Sequence, residues 1–194
     1  MFNKYKPIIV LLIAVVLIGG ASLSYSYLSN RFKETNSNSI ANSAGNSTTN
    51  ATSNSGTPAT DFVAYLDDGT AVHLSDYFGK PIVLNFWASW CPPCKAEMPT
   101  FNGMYPDVSD DVQFLMVDMV DGERETVKTG QNFIASKGYT FPVLYDTDGN
   151  AANAYSVRSI PTTYFIDNNG NIISQHTGMI DAIKLQSGIE SIKK

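Results

Sequence analysis

The stretch "LNFWASWCPPCKAEMP", residues 84–99, holds both cysteines of the 194-residue chain, Cys91 and Cys94, with Pro92 and Pro93 between them. Together with the residues just before it, "PIVLNFWA" (residues 81–88) is a nearly unbroken apolar run rich in branched and aromatic side chains. Such a run predicts a central strand buried on both faces. "CPPCKAEMPTFNGMY" then reads as a helix. Proline suits its first turn, where an N–H has no intrahelical partner and the fixed φ is already helical. Cys91 is thereby predicted at or beside the N-cap, where free amides and the positive end of the helix dipole favour a thiolate. Cys94 follows about one turn on, along nearly the same face. One sulfur of such a pair can attack a disulfide and the other can release the mixed disulfide. Pro93 removes one N–H that would otherwise reach the Cys91 sulfur. The Cys91 pKa is therefore expected below the free value of about 8.5, but less depressed than in a donor-rich loop.

Other uses of a close cysteine pair fit less well. A disulfide closing so short a loop constrains the unfolded chain little. A structural zinc site needs four ligands, and beside the cysteines the chain offers only His73 and His176, neither near them in sequence. No metal and no cofactor are expected. Dithiol exchange is the chemistry this pair predicts.

Working outward, "DFVAYL" and "TAVHL" flank "DDG" (residues 67–69) and predict a β-hairpin. Downstream, "VQFLMVDMV" (residues 112–120) predicts a second buried strand, and "ETVKTGQNFIASKG" an amphipathic helix ending at Gly138. "FPVLYD" reads as a short strand and "GNAANAYSV" as a short helix. "TTYFIDNNGNIISQHTG" predicts a hairpin turning at residues 168–170. "DAIKLQSGIESIKK" predicts a last amphipathic helix, its lysines near the end that the helix dipole makes negative. This order gives an α/β sheet covered by helices. Trp87 and Met98, Met104, Met116 and Met119 are expected in the core, Lys95 and His176 at the surface.

Two segments precede that domain, which is expected over residues 61–194. Lys4 and Lys6 stand before the apolar run "IIVLLIAVVLIGG" (residues 8–20), the pattern of a secretory signal. The positive-inside rule then puts the N-terminus in the cytoplasm and the rest outside. Extended through "ASLSYSYL" to Leu28, the run reaches the roughly 20 residues of a membrane span, with Tyr25 and Tyr27 as interfacial anchors. Residues 1–30 are thus expected to form a signal-anchor or transmembrane helix, and a cleaved signal with secretion is the alternative. Residues 31–60 are dominated by Asn, Ser and Thr, bury too little to offset chain entropy, and predict a flexible, disordered linker. The net charge of −5, with no basic stripe, argues against a nucleic-acid partner.

"FWASWCPPCKAEMP" resembles a thioredoxin-fold active site, and "VRSIPTTYFIDNNG" (residues 157–170) resembles that fold's segment before and through its next strand. With "GYTFPVLYD" between helix and strand, the chain from about residue 58 onward is similar to the membrane-anchored TlpA/ResA type. The resemblance implies a central mixed sheet flanked by helices, and extracytoplasmic thiol–disulfide oxidoreductase activity. Members usually reduce, and they serve cytochrome c maturation, sporulation or repair of oxidised surface proteins. Disulfide-bearing proteins or an oxidised enzyme would be the substrates, and a membrane protein the electron donor. By motif, Cys91 and Cys94 would form the redox-active disulfide. Pro161 matches the family's cis-proline, and Ile160 before it would offer backbone groups to an extended substrate. Trp90 and Pro92 would belong to the substrate-contacting rim. Glu97 matches a glutamate of the ResA-like subset, set to modulate thiol titration or move a proton; a solvated helix glutamate is the alternative. Pro99 matches a structural proline of the same helix. Many thioredoxins carry a buried aspartate where this chain has Asn85, so Glu97 or water would have to take the proton of the second cysteine. Two other readings stay open: an oxidase that forms disulfides in exported proteins, and a copper-delivery module using His176.

Overall fold

The structure, a computed structural model, describes residues 56–193. The expected anchor and nearly all of the expected linker lie outside the described residues. Among the described residues no helix is long and apolar enough to cross a membrane.

The strands are β1 (Thr57–Pro58), β2 (Val63–Tyr65), β3 (Ala71–His73), β4 (Ile82–Trp87), β5 (Gln113–Asp118), β6 (Val143–Tyr145), β7 (Thr162–Ile166) and β8 (Asn171–Thr177). The helices are α1 (Pro92–Val108), α2 (Val127–Lys137), α3 (Asn150–Ala154) and α4 (Ala182–Ile192). All the strands join one sheet in the order β1-β8-β7-β4-β5-β6-β2-β3. β4, β5 and β6 run parallel, and β7 is antiparallel to β4. This mixed sheet with helices on its faces is the thioredoxin-like α/β fold. β2 and β3 pair as the hairpin expected around residues 67–69 and extend the sheet past β6.

β4 is buried at all six positions, as its continuous apolar sequence requires. Its side chains alternate between faces. Val83 and Trp87 join a cluster with Met98 and Phe101 of α1 and Leu185 and Ile189 of α4. Ile82, Leu84 and Phe86 join the opposite cluster with Leu74, Ala151 and Tyr164. Each large apolar side chain taken fully out of water contributes about 1.5–3 kcal/mol. Asn85 has the parity of Val83 and Trp87, so the only polar side chain of β4 faces α1.

Local signals set the helix ends. Thr126 caps α2, its hydroxyl accepting from the Thr129 N–H at 3.1 Å while the Thr129 hydroxyl accepts from the Thr126 N–H at 2.7 Å. Gly138 ends the helix at φ 66°, a left-handed conformation that costs glycine nothing. Asp181 caps α4 by accepting from the Lys184 N–H at 2.8 Å.

Two placements differ from expectation. The sheet takes in Thr57 and Pro58, which the sequence puts in the linker. Both are exposed and are held by backbone pairing to β8 rather than by apolar burial, so composition alone cannot mark them. His176, expected at the surface, is half-buried on β8 with Nε2 3.2 Å from the Met179 carbonyl oxygen.

Candidate active site

Cys91 is the N-cap of α1, with extended backbone at φ −82° and ψ 112°. Pro92 and Pro93 fill the next two positions and supply no N–H, so the Cys94 amide is the first of the helix able to donate, and it reaches the Cys91 sulfur at 3.3 Å. Cys91 and Cys94 form a disulfide with a Cα–Cα distance of 5.3 Å. The two sulfurs are not equivalent. Cys94 is fully buried, whereas Cys91 borders a groove of about 460 Å³.

The groove is lined by Trp90, which is 39% exposed, and by Arg158 and Ile160. The Ile160–Pro161 peptide bond is cis. The Ile160 carbonyl oxygen lies 3.8 Å from the Cys91 sulfur, and neither the N–H nor the C=O of Ile160 meets another backbone group. Pro161 is tied instead to the β8 end, its carbonyl accepting from the Gly178 N–H at 2.8 Å. An extended chain laid in the groove would thus find an open backbone edge beside the sulfur.

Glu97 is 1% exposed, which removes the solvated alternative. One carboxylate oxygen accepts from the Asn85 side-chain amide and the other from the Ile180 N–H, both at 2.9 Å. The Asn85 amide also donates to the Thr163 hydroxyl at 3.0 Å. Burial pushes the Glu97 carboxyl up to about 7, against the two hydrogen bonds that favour its charged form. Glu97 therefore titrates near neutrality, one helical turn from Cys94 and inside the protein. Asn85 is its hydrogen-bond partner, not a base.

On the other flank, the turn at 121–125 is folded onto the cysteine loop. Asp121 accepts from the amides of Glu123, Arg124 and Glu125 at 2.9, 2.8 and 2.8 Å. Arg124 stacks its guanidinium 4.1 Å from the Trp90 ring centroid. Glu125 is fully buried, and one of its oxygens accepts from both the N–H and the hydroxyl of Ser89 at 2.8 Å, two residues before Cys91. Behind it, Asp118 at the end of β5 is fully buried with both oxygens lacking any partner in the protein. Burial, and then the negative charges of Glu125 and Asp121, push its carboxyl up to about 8. Gly130 packs directly on that carboxyl, where a side chain would collide with it.

The structure thus brings Trp90, Cys91, Pro92 and Ile160 to one groove, with Pro161 next to Ile160 in the chain and with Cys94 and Glu97 buried behind the groove. Trp87, Met98 and Met116 are core; Met104 is half-buried against the core, and Met119 also lines the groove. Asp118, Asp121, Arg124 and Glu125 are absent from the sequence reading. The signal available was position: they follow the carboxyl end of a central strand, where α/β sheets build their sites. Among the described residues no cluster of three His, Cys, Asp or Glu side chains is arranged to hold a metal ion.

Residues 55–175 match the model of the AhpC/TSA family. The chain is 33% identical over 191 residues to the thiol-disulfide oxidoreductase ResA of Geobacillus kaustophilus, covering 98% of this chain and 99% of that protein. A putative thiol:disulfide interchange protein DsbE from Chlorobium tepidum superimposes with a TM-score of 0.64 at 32% identity, over 73% of this chain and 99% of that one. StoA from Bacillus subtilis does so with a TM-score of 0.59 at 30% identity, over 67% of this chain and 96% of that one. The chain belongs to the thioredoxin-like AhpC/TSA family and is a thiol–disulfide oxidoreductase.

Proposed function

We propose that the protein is a membrane-tethered reductase of disulfides outside the cytoplasm, acting on exported proteins or on an oxidised partner enzyme. Cys91 is the attacking sulfur and Cys94 the resolving one. The Cys91 thiolate attacks one sulfur of the substrate disulfide, forming a mixed disulfide and expelling the other substrate sulfur as a thiolate. The Cys94 thiolate then attacks the Cys91 sulfur, expelling the second substrate thiolate and closing the Cys91–Cys94 disulfide. Two electrons pass from the dithiol to the substrate, and a dithiol donor at the membrane restores the reduced protein. Glu97 accepts the Cys94 proton for the second step. The family resemblance supports the reducing direction, and residues 1–30 and 31–60 supply the anchor and the tether.

The observation that carries this reading is the inequality of the sulfurs: Cys91 borders the groove at a helix N-terminus, and Cys94 is sealed behind it. Replacement of Cys94 by serine tests it. C94S should accumulate protein disulfide-linked to Cys91 in cells, and C91S should trap none; the reverse pattern overturns the assignment. Glu97→Gln should slow resolution of the mixed disulfide roughly tenfold and remove a pH dependence centred near neutrality. Equilibration with glutathione tests direction, because a potential near the about −120 mV of a strong oxidant would contradict a reductase.

A further inference from the structure

The described part of the chain is acidic: residues 56–193 hold seventeen aspartates and glutamates against eight lysines and arginines. Its two arginines, Arg124 and Arg158, both line the groove over Cys91. Basic side chains are scarce in this domain, and the two with planar, carboxylate-matching heads are concentrated at the reacting sulfur.

Their situations differ. Arg124 is fixed in place. Its guanidinium lies on Trp90, its Nε donates to Asp121 at 3.3 Å, and its backbone N–H is held by the same carboxylate. The grip of buried Glu125 on Ser89 locks this turn to the cysteine loop. The charge of Arg124 is therefore shared with Asp121, and its plane serves as wall. Arg158, two residues before Ile160 and lining the same groove, is exposed and has no ion-pair partner among the described residues. On a basic surface a free arginine would be unremarkable in its field. At the groove, where the charges of Asp121 and Arg124 offset each other, it leaves one unpaired positive charge in an acidic domain.

An extended segment lying across Cys91 sends alternate side chains to opposite sides. A carboxylate on such a segment can meet the free guanidinium fork of Arg158, which lines the same groove as Trp90 and Arg124. We infer that the groove selects polypeptide segments whose attacked cysteine is flanked by a carboxylate side chain, with Arg158 as the recognising cation. This inference rests on the exchange reading of Cys91 and Cys94. A solvent-exposed pair is weak and salt-sensitive, so it acts on encounter and on choice among substrates, not on the exchange step.

The test uses three peptides alike except for the residues flanking a single cysteine, which are Glu, Gln or Lys on both sides. The cysteine is blocked as a mixed disulfide with 2-mercaptoethanol. Full-length protein, reduced and freed of reductant, is mixed with each peptide at low and high salt. Rates with free dithiothreitol correct for the effect of the flanks on the disulfide itself. After correction the order should be Glu, Gln, Lys, with roughly three- to tenfold between the extremes at low salt. High salt should compress the range, because the screening length falls to about 3 Å near 1 M. Arg158→Ala should abolish the excess of the corrected Glu rate over the corrected Gln rate. Arg158→Glu should reverse the order, and Arg158→Lys should keep it. Equal corrected rates in the unmodified protein, or an order that survives Arg158→Ala, overturn the inference alone. Reduction of none of the three peptides overturns the exchange reading and the inference with it.

Discussion

Glu97 on α1 and Asp118 at the end of β5 are both buried on the α1 side of the sheet, yet their surroundings are opposite. Glu97 meets an N–H donor at each oxygen. Asp118 meets none. Burial raises both pKa values, but the donors hold Glu97 to about 7 while Asp118, facing Glu125 and Asp121, reaches about 8. At neutral pH Glu97 is poised between its two forms, and Asp118 stays protonated. A buried acid can thus be kept ready to move a proton or kept neutral, and the difference lies in which amides the fold aims at it.

The largest expected effect is on stability against pH. Each carboxyl keeps its proton to a higher pH when folded than when unfolded. From about pH 4 to about pH 8 the folded chain therefore binds more protons, and stability falls as pH rises. The total decline should be several kcal/mol, followed by urea denaturation at a series of pH values. Asp118→Asn should remove the decline between pH 7 and 8 and about half of it at lower pH, and a curve unchanged by it would break the comparison. Glu97→Ala comes next, expected to cost about 2–4 kcal/mol, since it opens a cavity and strands two buried donors. A smaller effect is expected at Gly130, where an added methyl would press on the Asp118 carboxyl. Gly130→Ala should cost about 1–3 kcal/mol, and much of that should return in a Gly130→Ala/Asp118→Ala double variant, because the two groups share one space.

The parts legible in the sequence are those whose cause is local. The apolar run of β4, the prolines of the first α1 turn and Gly138 at the end of α2 each fix their conformation within a few residues. The helix start then places Cys91, and the second motif places Pro161 opposite it. Glu97 was ambiguous because its burial is decided by the Ile180 amide, 83 residues away in sequence. Glu125 is read in the sequence only as the first residue of an amphipathic helix, yet it is buried and grips Ser89, a contact that exists only once β4 and β5 lie side by side. Residues 57 and 58 were hidden for the same reason, since their pairing depends on β8 and not on their own chemistry.

The account stands on the unequal reactivity of the two sulfurs, and the most direct measurement is competitive alkylation of the reduced full-length protein with iodoacetamide, read by mass at each cysteine across a pH series. Cys91 should be modified first, with an inflection below the free-thiol value of about 8.5, and Cys94 should stay protected while the fold is intact. Modification of Cys94 ahead of Cys91, or a Cys91 inflection at or above the free-thiol value, would contradict it.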